Sequence, residues 1–107
     1  MSETYQLVKG LVKAGKFRLS QHGDEEMRED GIFLTALLNS IEKAAVVEDY
    51  PDAWKGPTVL LLQEFEGLKF HAIWGLSKSH PQVASLVTAY LPDLNKWTAD
   101  FMQRLKP

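Results

Sequence analysis

Residues 58–76, TVLLLQEFEGLKFHAIWGL, hold two apolar runs separated by Glu66-Gly67. The first, Thr58 to Phe65, is short for a helix and has the apolar density of a strand covered on both faces. A two-residue link joins antiparallel strands tightly, so Lys69–Leu76 pairs with the first run as a hairpin. Alternation then puts Phe70, Ala72 and Trp74 on one face of the second strand and His71 with Ile73 on the other. Outward from this hairpin, Ser77–Pro81 makes a turn and Gln82–Tyr90 a further strand. Upstream, Val46-Val47 opens a strand that Tyr50-Pro51-Asp52 closes.

The earlier part of the chain changes period. Leu7, Val8, Leu11 and Val12 recur at helical spacing, with Gly15 beyond them. Phe17-Arg18-Leu19 reads as a short extended segment. Ser20 is the N-cap of a second helix, followed by Asp24, Glu25 and Glu26 in its early turns, and Gly31 ends it. Leu34, Leu37, Leu38 and Ile41 form the stripe of a third. After Pro92-Asp93, the spacing of Leu94, Trp97, Phe101 and Leu105 predicts a C-terminal helix. The expected fold is therefore α+β: N-terminal helices packed on an antiparallel sheet of three to four strands, with a C-terminal helix. At 107 residues the chain is expected to be one domain, 1–107.

A composition of 45% hydrophobic and 24% charged residues suits a globular chain rather than a disordered one. No apolar run reaches the roughly 18 residues of a membrane span, and MSETYQLVKG has no secretory pattern. A cytoplasmic protein without a membrane partner is the expectation. Without cysteine there is no disulfide, zinc-thiolate or thiol nucleophile. The phosphate-binding glycine loop, nucleophile elbow and dinucleotide fingerprint are all missing, so no cofactor is expected. The formal charge of −2 is unevenly spread. Residues 20–54 carry nine acids against Arg28 and Lys43, a balance of −7, and the rest of the chain balances at +5. That distribution reads either as solvated helix faces or as a basic surface beside an acidic flap.

A few polar residues stand out as candidates for chemistry. His22 lies three and four positions before Glu25 and Glu26, so either carboxylate can sit beside the imidazole on a helix. Such a pair can act as general base or acid near neutral pH, although the same spacing also makes an ordinary exposed ion pair. His71 lies inside a strand, where it serves either as a second acid–base group or as a histidine satisfied by a backbone carbonyl. Thr88 and Tyr90 share a face two residues apart. Arg18, Arg28, Lys96 and Arg104 are the cations available to them. A metal reading would join His71 to His22 and Glu26, but that donor pattern is weaker than the acid–base one, and no metal is expected. Trp54, Trp74 and Trp97 could stack bases, yet the tight alternation of aromatic and basic residues used by single-strand binders is missing.

Phe17-Arg18-Leu19-Ser20-x-His22, with Glu25, Met27, Glu29 and Gly31-Ile32, resembles the opening motif of a bacterial family known as domain of unknown function 4258. The resemblance continues through Val47-Glu48-Asp49-Tyr50-Pro51 and Phe70-His71-x-x-Trp74-Gly75 to Thr88-Ala89-Tyr90-x-Pro92-Asp93 and Trp97, over about residues 16–104. That family looks related to small RelE-like and barnase-like folds, many of them ribonuclease toxins accompanied by a small zinc-finger antitoxin. The resemblance implies metal-independent RNA cleavage by attack of the ribose 2′-hydroxyl on the adjacent phosphate. His22 with Glu25, His71 and Tyr90 would be catalytic. Arg18, Arg28, Thr88 and Lys96 would hold the substrate. By that resemblance the family commonly has arginine where this chain has Glu26, Asp30 and Leu91, and the alternative reading is a non-catalytic protein-binding module on the same scaffold. A third reading is an enzyme on another small substrate that uses His22 and Glu25.

Overall fold

A computed structural model of the protein describes residues 2–106. Its elements run α1 (Glu3–Lys13), β1 (Phe17–Leu19), α2 (Gln21–Glu29), α3 (Leu34–Asn39), β2 (Ala45–Tyr50), β3 (Thr58–Phe65), β4 (Leu68–Leu76) and β5 (Ala84–Tyr90). The β3–β4 hairpin pairs Phe65 with Leu68 at its tip and Thr58 with Gly75 at its base. Both link residues have positive φ, 51° at Glu66 and 85° at Gly67, as the tight turn between twisted strands requires.

The sheet corrects the expected strand count. Five strands lie in the order β1-β5-β4-β3-β2, and the sheet is mixed rather than antiparallel. The fifth strand is the Phe17–Leu19 segment, which pairs parallel to β5 from Phe17↔Ala84 to Leu19↔Leu86. Three residues carry too little periodicity to declare a strand, and their partner lies 67 positions away. Only the assembled sheet supplies the ladder.

One sheet face holds the main core. Val59, Leu61, Phe70, Ala72, Trp74, Leu86 and Ala89 pack there against Val8 and Val12 of α1, Met27 of α2 and Leu37 of α3. On α1, Tyr5 takes the place expected for Leu7: Tyr5 is buried and Leu7 is exposed. The Tyr5 hydroxyl donates to the Ile41 carbonyl at 2.7 Å, tying α1 to the chain just after α3. Gln63 is a fully buried amide with every group used. Its Nε2 donates to the Leu37 carbonyl and to Ser40 Oγ, both at 2.8 Å, and its Oε1 accepts from Trp74 Nε1 at 3.1 Å. This network satisfies an otherwise orphaned carbonyl at the end of α3 and fixes Trp74 as a core residue.

Helix α2 begins directly from β1. Ser20 Oγ accepts from the Gly23 amide at 2.9 Å and donates to the Val87 carbonyl at 3.1 Å. The helix lies so close to β5 that a Cβ on Gly23 would sit 2.8 Å from the Leu86 carbonyl oxygen and 3.0 Å from that of Val87.

No C-terminal helix forms. Residues 92–105 are a strap of turns closed by one antiparallel bridge between Trp97 and Arg104. Side chains capture the amides that a helix would need. Asp93 accepts from the Asn95 amide at 2.8 Å, Asp100 from that of Met102 at 3.0 Å, and Thr98 from that of Gln103 at 3.2 Å. Leu94 and Leu105, which the predicted stripe would bury, are exposed. A short helix gains little without an apolar face to bury, and here Trp97 leaves the stripe to pack on the sheet. No helix among the described residues is long and apolar enough to cross a membrane.

Two alanine substitutions separate close packing from open space. Gly23→Ala should destabilise the protein by about 1–3 kcal/mol, because backbone carbonyls meet the new methyl. Gly10→Ala, inside α1 with nothing within 4 Å, should stabilise it by about 0.5–1 kcal/mol. Urea unfolding of both variants checks the signs.

Candidate functional site

The sheet face opposite the main core carries the polar constellation. On β4, His71 pairs with Leu62 of β3 on one side and with Tyr90 of β5 on the other. It is fully buried, and both ring nitrogens are used. Nε2 lies 2.8 Å from the Phe101 carbonyl, which can only accept, so Nε2 carries the proton. Nδ1 is then the acceptor for the Tyr90 hydroxyl at 3.1 Å. Trp97 stands edge-on to the imidazole, with ring centroids 4.5 Å apart. Phe101 makes this possible by adopting φ 61°, a left-handed conformation that costs a non-glycine residue roughly 1–2 kcal/mol.

Beside this buried group lies a charged one. Alternation along β2 puts Glu48 and Tyr50 on one face, and Glu48 pairs with Leu60 in β3. Arg104 returns from the strap and grips the Glu48 carboxylate with two hydrogen bonds, Nε at 2.7 Å and Nη2 at 3.0 Å. The Tyr50 hydroxyl donates to the same carboxylate at 2.6 Å. The Arg104 guanidinium also lies 4.7 Å over the Trp97 ring, so Trp97 joins the imidazole to the ion pair.

Each titratable group is shifted by this setting. Arg104 holds the Glu48 carboxyl below its ordinary value, aided by the Tyr50 hydrogen bond. The bond to Glu48 pushes the Tyr50 phenol up, and burial pushes Tyr90 up. Burial pushes His71 below its ordinary value of 6.5, which the hydrogen bond to Phe101 only partly offsets. At neutral pH the constellation is therefore a carboxylate, a guanidinium, two phenols and a neutral imidazole.

The residues expected from sequence divide between this face and elsewhere. His71 and Tyr90 meet as register partners, and Thr88 sits opposite Ile73 on the same face. Lys96 is exposed in the strap next to Trp97. His22 is exposed on α2, the helix whose buried Met27 belongs to the main core on the other face, and its imidazole lies 3.5 Å from Glu26. Glu25 instead accepts from Gln21 at 3.2 Å. Arg28 pairs with Asp24 at 3.0 Å on the same helix. The metal reading loses its geometry as well: among the described residues, no three His, Asp or Glu side chains gather as a ligand set. Glu48 and Tyr50 were missed as site residues. Their only sequence signal was the segment Val47–Pro51, since their partner Arg104 lies 56 residues away.

Comparison with known proteins agrees with the motif reading. The family model DUF4258, described as a domain of unknown function, matches residues 19–91, and the chain belongs to that family. The match is narrower than the span of the motifs. It includes His22, Glu48, Tyr50, His71 and Tyr90 and stops before Trp97, Phe101 and Arg104. No curated protein and no solved structure matches the chain significantly. Glu26 pairs with His22, and Asp30 accepts from the Leu91 amide at 2.8 Å.

The shifted groups predict the pH dependence of stability. The unfolded chain protonates His71 near 6.5 while the folded chain resists, so stability should decline as pH falls from above 6.5 toward the lowered folded value. A second decline should follow as pH falls from about 4.5 through the lowered Glu48 value. His71→Gln should remove the first decline and keep the second. Urea midpoints measured across the acid range check both, and an unchanged first decline in the variant would assign it to another group.

Proposed function

We propose that the protein is an RNA endonuclease of the RelE-like kind, cleaving without metal by attack of the ribose 2′-hydroxyl on the adjacent phosphate. The observation that carries this reading is the pairing of Glu48 with Arg104 beside two phenols and an imidazole on one sheet face. The reaction needs a base for the hydroxyl, a cation for the charged intermediate and an acid for the leaving oxygen. Glu48 takes the 2′-proton as the oxygen–phosphorus bond forms. Arg104 neutralises the phosphoryl oxygens. The bond from phosphorus to the 5′-oxygen breaks, and that oxygen takes the proton of Tyr50, which its raised pKa keeps as a phenol. The hydrogen bond between Tyr50 and Glu48 then lets the carboxyl return a proton to the phenolate. Tyr90, pinned by His71, and Thr88 line the path beside it.

In the resting pair each charge masks the other. An incoming phosphate competes for Arg104 and relieves Glu48 of the field that lowers its pKa, so substrate itself restores the base. His22 and Glu25 have no part in this scheme.

A second reading, a non-catalytic protein-binding module on the same scaffold, is favoured by a different surface. Phe33 is 76% and Leu34 42% exposed over a groove of about 350 Å³ that Leu19, Met27 and Ile32 also line. A small zinc-finger antitoxin is the kind of partner that the RelE-like resemblance implies, and an RNA substrate would place both proteins in the cytoplasm.

Incubating the intact chain with single-stranded RNA and a chelator should yield fragments ending in 2′,3′-cyclic phosphate. Arg104→Ala should lower the rate by about 10²–10³-fold, and Arg104→Lys, which keeps the charge and loses the fork, should restore only part of it. Glu48→Gln should abolish cleavage, and His22→Ala should leave it unchanged. RNA left intact by the unaltered protein, with no growth arrest on expression, would give the protein to the second reading.

A further inference from the structure

The same sheet face carries a second polar feature at its other end. One row of register partners crosses four strands: Arg18 in β1 pairs with Ser85 in β5, Ser85 with Gly75 in β4, and Gly75 with Thr58 in β3. Thr58 in turn pairs with Tyr50 in β2, so this row runs into the Glu48–Arg104 patch. Above it is an open groove of about 210 Å³ lined by Arg18, Lys55, Thr58, Gly75, Ser77 and Ser85 among others, and no acidic side chain lines it.

The groove has the chemistry of an anion site. Arg18 Nε donates to Ser85 Oγ at 2.8 Å, which holds the guanidinium in place, and its two terminal nitrogens have no hydrogen-bond partner among the described residues. A fork held in this way matches two phosphoryl oxygens. Of the three arginines, Arg28 and Arg104 pair with carboxylates, whereas Arg18 pairs with none among the described residues. Gly75 leaves the floor low: a Cβ there would stand 3.4 Å from Thr58 Oγ1 and 3.5 Å from the Pro57 carbonyl oxygen. Lys55 adds a second cation at the rim, where its ammonium lies 5.2 Å from the Trp54 ring centroid.

We infer that this groove binds a backbone phosphate of single-stranded RNA, a few nucleotides away from the phosphate held at Arg104. The inference rests on the RNA reading of the Glu48–Arg104 patch and gives that substrate its path. Four strand spacings of about 4.8 Å separate β1 from β2, roughly 19 Å of sheet. A short single strand spans that distance with Ile73 and Thr88 beneath it. The volume of the groove suits one phosphodiester unit rather than a drug-sized ligand.

The test measures binding of a short single-stranded RNA carrying a 2′-deoxy substitution at the cleaved position, by fluorescence anisotropy over a range of salt. The double variant Arg18→Ala/Lys55→Ala should bind at least tenfold more weakly at low salt, with a salt slope reduced by about 0.7 for the one lost phosphate. Arg18→Lys should retain only part of the affinity, since it keeps the charge without the fork. Unchanged affinity in the double variant, or no binding by the intact protein, overturns the inference. Inorganic phosphate, titrated while the Arg18 Nε–H and Ser85 resonances are followed, separates the two sources. Perturbation by free phosphate alongside Arg18-independent RNA binding overturns an RNA site. Arg18-dependent RNA binding without cleavage defeats the nuclease reading alone, and cleavage with Arg18-independent binding defeats the groove alone.

Discussion

A buried imidazole has two nitrogens that must both find partners, and at His71 this requirement organises one whole side of the molecule. A strand neighbour can supply one partner, and Tyr90 does so across the β4–β5 ladder. The other must come from above the sheet, because the β4 backbone groups are already spent on β3 and β5. The Phe101 carbonyl fills that place at 2.8 Å. Leaving a buried polar group unpaired costs about 1–3 kcal/mol, comparable with the left-handed conformation that Phe101 adopts to reach it. The strap is therefore anchored by a polar need of the sheet as well as by the apolar contact of Trp97.

That anchor determines where the charges lie. With Trp97 seated on His71 and bridged to Arg104, the guanidinium arrives over β2 and meets Glu48. An exposed ion pair of this kind adds little stability by itself. Its importance is chemical, since it gathers a carboxylate, a cation and two phenols on the face that the helices leave uncovered. The other face settles its one buried amide internally: Gln63 satisfies α3, Ser40 and Trp74 within the main core. One face is thus filled by the apolar core, and the other gathers the charged and phenolic groups.

Much of the fold was legible from local pattern. The hairpin of 58–76, the Ser20 cap and the β5 strand follow from alternation, turn chemistry and capping, each acting within a few residues. The alternation that separated His71 from Phe70 and Trp74 also held. The C-terminal segment misled because Leu94, Trp97, Phe101 and Leu105 have helical spacing although their partners lie on the sheet. His22 and Glu25 drew notice because helical proximity can be read from sequence, whereas the Glu48–Arg104 pair, 56 residues apart, cannot.

By itself the sequence determined the family, the α+β class, the hairpin register and the face on which His71 lies, because periodicity and turn residues act locally. Tertiary structure alone decided the parallel fifth strand, the strap in place of a helix, and the meeting of Glu48, Tyr50 and Arg104. Each of these joins segments far apart in the chain, and no spacing rule carries such information. The long-range pairs form because buried polar groups and an open strand edge need partners, and the assembled sheet brings those partners within reach.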